Sequence, residues 1–191
     1  MQLKNTNTRY GLVAISLHWL VALTVIGLAI LGLWMVDLSY YSPYYRSGPF
    51  WHKSIGLALF AVLVFRLLWR AFNPRPQHLP NHKRWEIGAA GVAHALLYLM
   101  LLVIVISGYL ISTATGQGIS FFGWFEVPAL LTGLPQQADR AGLVHYWVAI
   151  AVLGLAALHA LGALKHHFID RDDTLRRMLG MRARQTTGKQ E

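Results

Sequence analysis

Four long hydrophobic runs divide the chain, at residues 11–36, 55–72, 87–113 and 143–164, and a basic tail follows at residues 165–191. Each run approaches or exceeds the roughly 17 residues that an α-helix needs to cross the hydrocarbon core of a bilayer. They are continuous, whereas a transmembrane strand alternates over about ten residues, so helices are expected. The second run closes on Asn73-Pro74-Arg75-Pro76, where the prolines lack the N–H that would continue a helix. The pattern predicts one all-α domain over residues 1–191, an integral membrane four-helix bundle. The first run is too long for the apolar core of a cleavable signal and lacks a small-residue cleavage motif, so it is expected to be retained.

The polar connections differ in kind. Residues 37–50 are rich in tyrosine, serine and proline and read as an interfacial loop. Residues 114–140 carry Ile119-Ser120-Phe121-Phe122-Gly123-Trp124-Phe125, an aromatic stretch expected to lie on the membrane surface as a lid over the outer end of the bundle. His78 and His82 fall in the second connection and read as solvated loop residues. The tail is expected to be disordered beyond Gly180.

Composition supports the membrane reading: 55% of the 191 residues are hydrophobic, 13% are charged, and the mean hydropathy is +0.41. A net charge of +9 suggests nucleic acid in a soluble protein, but here the placement of the charges accounts for it. With the N-terminus assigned to the cytoplasm, all lysines and arginines except Arg46, Lys53 and Arg140 fall on the cytoplasmic side, as the positive-inside rule requires. Both termini are expected in the cytoplasm, and no nucleic-acid partner is expected. The chain has no cysteine, which removes disulfides, covalent heme attachment and thiolate metal sites together.

Histidine is the remaining strong ligand for a redox metal, and several histidines lie inside the runs. His145 and His159 are 14 residues apart, which in a helix is about 1,400° of rotation, some 40° short of four full turns. They share a face and stand about 21 Å apart along the axis, one towards each membrane surface. Ionisable side chains are costly in a spanning helix and face the bundle interior for functional reasons. The pair reads as axial ligands of two stacked hemes. Depth restricts their partners: His52 matches His145 near the outer surface, while His159 can meet either His18 or His94 near the inner one.

The chain resembles the bacterial cytochrome b561 family of diheme membrane proteins over about residues 8–180. Leu17-His18-Trp19, His52-Lys53-Ser54-Ile55-Gly56, Phe65-Arg66-Leu67-Leu68-Trp69-Arg70, His94-Ala95-Leu96-Leu97-Tyr98 and Ser107-Gly108-Tyr109-Leu110 carry the likeness, with Leu158-His159 and Lys165-His166-His167-Phe168-Ile169-Asp170-Arg171-Asp172. The resemblance implies two non-covalent, bis-histidine b hemes between the helices, on His18 with His159 and on His52 with His145. It also implies oxidation of superoxide at the periplasmic face of the inner membrane and reduction of ubiquinone. Lys53 and Arg46 then become candidates for attracting the anion. His94, Lys165 and His166 become candidates for a quinone site, where titratable groups must supply protons. Structural hydrogen bonding is the other reading of His94, and headgroup contact the other reading of Lys165 and His166. No obligatory protein partner is expected beyond membrane lipid. The rival function is a heme-bearing membrane anchor that passes electrons between an extrinsic dehydrogenase or hydrogenase and quinone.

Overall fold

The computed structural model describes residues 2–181 of the chain. Four long helices cross back and forth: α1, Leu12–Val36; α2, Ser47–Phe72; α3, Arg84–Thr113; and α4, Gln137–Phe168. All four are long and apolar enough to span a membrane. Between α3 and α4 lies a hairpin of two short antiparallel strands, β1, Ile119–Phe121, and β2, Phe125–Val127. A short helix, α5, Thr174–Met178, follows α4. The expectation of a disordered tail falls, apart from Met181, outside the described residues.

Three helices exceed the apolar runs that predict them. α2 begins at Ser47, two turns before residue 55, and carries Pro49 in its first turn, where a backbone N–H has no helical acceptor in any case. α3 begins at Arg84, with Glu86 accepting a hydrogen bond from the Lys83 N–H at 3.0 Å. α4 starts at Gln137 instead of residue 143 and continues through Lys165, His166 and His167 to Phe168. Basic residues suit that C-terminal turn, because they offset the partial negative charge of the last carbonyls.

Packing joins α1 with α2 and α3 with α4 most closely. Val21, Leu59, Leu63, Leu101 and Val152 form the shared core, one or two from each helix. Large apolar residues such as Leu23, Ile30, Leu99, Leu158 and Leu161 point outward, as a lipid-facing surface requires.

Long-range hydrogen bonds knit each end of the bundle. At the end carrying the N-terminal segment and α5, Asn5 donates to the Pro74 carbonyl at 2.9 Å and Trp19 Nε1 donates to the Met178 carbonyl at 2.9 Å. Arg177 donates to the Gln77 carbonyl at 2.8 Å. At the opposite end the buried Ser54 hydroxyl clamps the hairpin, donating to the Ser120 carbonyl at 3.2 Å and accepting from the Phe122 N–H at 3.1 Å. The hairpin turns through Phe122 and Gly123, with φ of 50° and 76°, and buries Ile119. The aromatic stretch is thus a folded cap on α2, with Phe121 against Phe125 and Trp51 against Phe122.

Candidate functional site

Five histidines of the spanning helices meet in two groups, one towards each end of the bundle. At the hairpin end His52 of α2 faces His145 of α4, with ring centres 6.2 Å apart and planes inclined at 69°. At the other end His18 of α1 faces His159 of α4 at 6.3 Å and 64°, and His94 of α3 lies 5.0 Å from the same His159 ring. A metal–imidazole bond is about 2 Å, so two rings on opposite sides of one metal have bonded nitrogens about 4 Å apart and ring centres about 6 Å apart. The His52–His145 and His18–His159 separations fit that requirement. The His94–His159 separation is about an ångström short of it.

The surroundings of the hairpin-end pair also suit a bound metal. His145 Nδ1 donates to the Ile104 carbonyl at 2.9 Å and lies 3.2 Å from the Ser107 hydroxyl. A neutral imidazole carries one proton, so this bond leaves Nε2 with a free lone pair, the arrangement common to metal-bound histidine. The partner ring is less satisfied: His52 Nδ1 is buried without a hydrogen-bond partner among the described residues.

Two glycines let these rings lie against helix backbone. A Cβ on Gly32 of α1 would sit 3.2 Å from His52 Cε1, and one on Gly108 of α3 would sit 3.0 Å from His145 Cε1. The sequence signal for them was a glycine inside an apolar helix, where it is disfavoured by about 1 kcal/mol relative to alanine. Gly27, Gly56 and Gly154 carry the same signal with nothing within 4 Å, so the ring on the facing helix, and not the glycine alone, distinguishes Gly32 and Gly108.

His18 has a different neighbour. Arg66 Nη2 donates to His18 Nδ1 at 3.0 Å, and both Arg66 and Arg70 stack over the Tyr98 ring, at 5.4 and 5.6 Å. Arginine has no acceptor, so the His18 ring keeps its proton on Nε2 while this bond stands. Binding a metal through Nε2 requires Arg66 to release Nδ1. In the sequence Arg66 and Arg70 stand out as cytoplasmic-side charges within a motif of the family likeness, and nothing local to them marks His18 or Tyr98 as their partners.

Lys53 and Arg46 are both exposed at the hairpin end, Lys53 adjacent in sequence to His52 and Arg46 at the N-cap of α2. A crevice of about 440 Å³ opens at the same end, mostly apolar, with Ser107, Gln137 and Arg140 among its lining residues. Through Ser107 it approaches His145, which brings Arg140 into the candidate site.

Lys165 and His166 lie beyond the histidine group at the other end and are held by acids. Lys165 Nζ bridges Glu86 at 2.6 Å and Asp170 at 2.7 Å. His166 Nδ1 meets Asp170 and Asp172, each at 2.9 Å. His82 joins this cluster, with Nε2 3.1 Å from Asp172, and so departs from the expectation of a solvated loop residue. Only His78 of the two loop histidines is exposed.

Four spanning helices with paired histidines at two depths define a class, the multi-pass helical membrane cytochromes b. The match to the model of the prokaryotic cytochrome b561 family runs over residues 9–181, and the chain belongs to that family of heme b-binding membrane electron-transfer proteins. It is 53% identical over 180 residues to cytochrome b561 homolog 2 of Escherichia coli strain K12, covering 94% of this chain and 96% of that protein. It is 30% identical over 175 residues to a probable superoxide oxidase, CybB, of Yersinia pestis, covering 90% and 96%. Cytochrome b561 homolog 1 of E. coli K12 is 27% identical over 178 residues, with 91% and 98% covered.

Proposed function

We propose that this chain binds two b hemes, on His18 with His159 and on His52 with His145, and couples superoxide oxidation at the periplasmic face of the inner membrane to ubiquinone reduction. The observation that carries the reading is the pair of 6.2 and 6.3 Å imidazole separations, each bringing α4 together with a different helix. Each heme, when bound, would supply a one-electron carrier, and the 14-residue spacing puts the two α4 histidines that would hold them about 21 Å apart along the helix axis. Two superoxide anions oxidised to dioxygen release two electrons, which with two protons convert one ubiquinone to ubiquinol.

Charge supports the orientation. Among the described residues Arg46, Lys53 and Arg140 are the lysines and arginines of the hairpin end, and the others, from Lys4 to Arg177, lie towards the other end, the cytoplasmic one under the positive-inside rule. At the hairpin end these three cations attract the superoxide anion, and Arg140 does so from the wall of the crevice that reaches Ser107. His94 is the strongest candidate to hand a proton to quinone, since its ring lies beside His159 and an imidazole can both hold and release a proton. Lys165 and His166 are weaker candidates, because Glu86, Asp170 and Asp172 already engage their polar atoms. The connections at the hairpin end are compact, the longer one folded into the β1–β2 cap, and leave little surface for an extrinsic subunit, which favours an independent enzyme.

Stopped-flow spectroscopy on the purified protein tests this reading. Superoxide should reduce the heme bands and ubiquinone should reoxidise them without another protein. A chain that co-purifies with an iron–sulfur subunit and ignores superoxide is instead the membrane anchor of a larger dehydrogenase or hydrogenase.

A further inference from the structure

Three elements that are distant in sequence converge at the α5 end of the bundle. His82 comes from the connection before α3, His166 from the last turn of α4, and Asp172 from the turn between α4 and α5. Asp172 Oδ2 lies 3.1 Å from His82 Nε2 and 2.9 Å from His166 Nδ1, and the three donor atoms all lie within 4.8 Å of one another. Their side chains are 6%, 14% and 15% exposed in the order Asp172, His82, His166.

The carboxylate is positioned by backbone as well as by its partners. Arg171 takes a left-handed φ of 55°, which costs energy for a non-glycine residue and turns the chain back towards α4. The Asp172 N–H then donates to the His166 carbonyl at 3.0 Å, and the Thr174 N–H donates to Asp172 Oδ1 at 2.8 Å. Oδ2 is left to face the two imidazoles, with Asn81 Nδ2 at 3.3 Å and the Thr174 hydroxyl 3.1 Å from His82 Nε2.

A neighbouring group, Glu86, His166 and Asp170, is less suited to a cation because the Lys165 ammonium already bridges its two acids. Among the described residues the ion-pair partners of Asp172 are the two imidazoles alone.

We propose that His82, His166 and Asp172 form a zinc site that fastens the α2–α3 connection to the end of α4. Two imidazole nitrogens and one carboxylate oxygen are a donor set that zinc takes with a fourth position left for water. Ligands about 2 Å from a tetrahedral metal stand about 3.3 Å apart, so the two nitrogen–oxygen distances need to open by only a few tenths of an ångström. The nitrogens facing Asp172 must give up the protons they share with it, to the other ring nitrogen or to solvent. Zinc affinity therefore falls on acidification. The site is separate from the histidine pairs assigned to heme and stands or falls independently of them.

Isothermal titration of zinc chloride into the full-length protein in detergent tests the site, with circular dichroism as the check on fold. The expected result is one zinc per chain at micromolar free metal, unchanged in His78→Ala, and affinity lower by about 100-fold or more in His82→Ala and Asp172→Asn. Zinc should also slow proteolysis of the loop between α2 and α3 in the wild type and not in His82→Ala. Should either variant lose helicity, His82→Cys and Asp172→Glu retain a ligand atom and should retain measurable zinc binding. Absence of stoichiometric binding in the wild type, or undiminished binding in folded His82→Ala, overturns the proposal.

Discussion

Replacing Gly108 by alanine is the sharpest probe of the hairpin-end histidine pair. The new methyl would lie 3.0 Å from His145 Cε1 and 3.3 Å from Nδ1, where ordinary carbon contacts begin near 3.5 Å. The ring must retreat by about half an ångström, yet Nδ1 is held at 2.9 Å by the Ile104 carbonyl and the shift is large against a metal–nitrogen bond of about 2 Å. Overpacking of this kind costs about 1–3 kcal/mol, while alanine in place of glycine returns up to about 1 kcal/mol of helix propensity. Global stability should change little, and the strain should fall on the ring. At 1.4 kcal/mol per factor of ten, about 2 kcal/mol weakens heme retention at this pair by about 30-fold. Heme transfer to excess apomyoglobin measures it: one of two phases should accelerate by about 10–100-fold. Gly32→Ala, whose methyl would lie 3.2 Å from His52 Cε1, should act on the same phase more mildly, and Gly56→Ala, with nothing within 4 Å, should leave both phases unchanged. Equal transfer kinetics for Gly108→Ala and Gly56→Ala would refute the close fit of His145 against α3.

His94→Gln should keep two low-spin hemes per chain by pyridine hemochrome and optical spectra, keep heme reduction by superoxide, and slow reoxidation by ubiquinone; His18→Gln should lose one heme. Loss of a heme from His94→Gln with retention in His18→Gln would reverse the assignment. Ser54→Ala removes both bonds to the hairpin and leaves the Phe122 N–H and Ser120 carbonyl unpaired, so it should cost about 2 kcal/mol and speed amide exchange across residues 119–127. Burial raises the Asp172 carboxyl, but hydrogen bonds from Thr174 and Asn81 and the His166 charge outweigh it and hold the group below its ordinary 3.8. The stabilisation from this anion is present above pH 3.8 and is lost as pH falls through the depressed folded value. The difference in melting temperature between wild type and Asp172→Asn should therefore shrink below about pH 4 in a pH-scanned thermal melt.

The four spans, the helix stop at Asn73-Pro74 and the shared face of His145 and His159 were legible in the sequence, because helical period, bilayer thickness and the missing proline N–H act locally. The same local rules placed the histidines at two depths but left His18 and His94 as equal partners for His159. Ring separations of 6.3 and 5.0 Å depend on how three helices rotate against one another, which packing across the bundle decides. The early start of α4 has a similar origin: Gln137 is polar and interrupts the apolar pattern, yet it is buried because its amide donates to the Leu110 and Leu131 carbonyls, each at 3.0 Å. His82 looked like a solvated loop histidine for the same reason, since Asp172, 90 residues away, engages it only once the chain is folded. Gly32 and Gly108 show as unfavourable helix residues in the sequence, and the His52 and His145 rings that account for them come from other helices. Apolar length is a property of a segment and can be read along it, whereas a polar group's partner is set by the tertiary arrangement that brings distant donors and acceptors together.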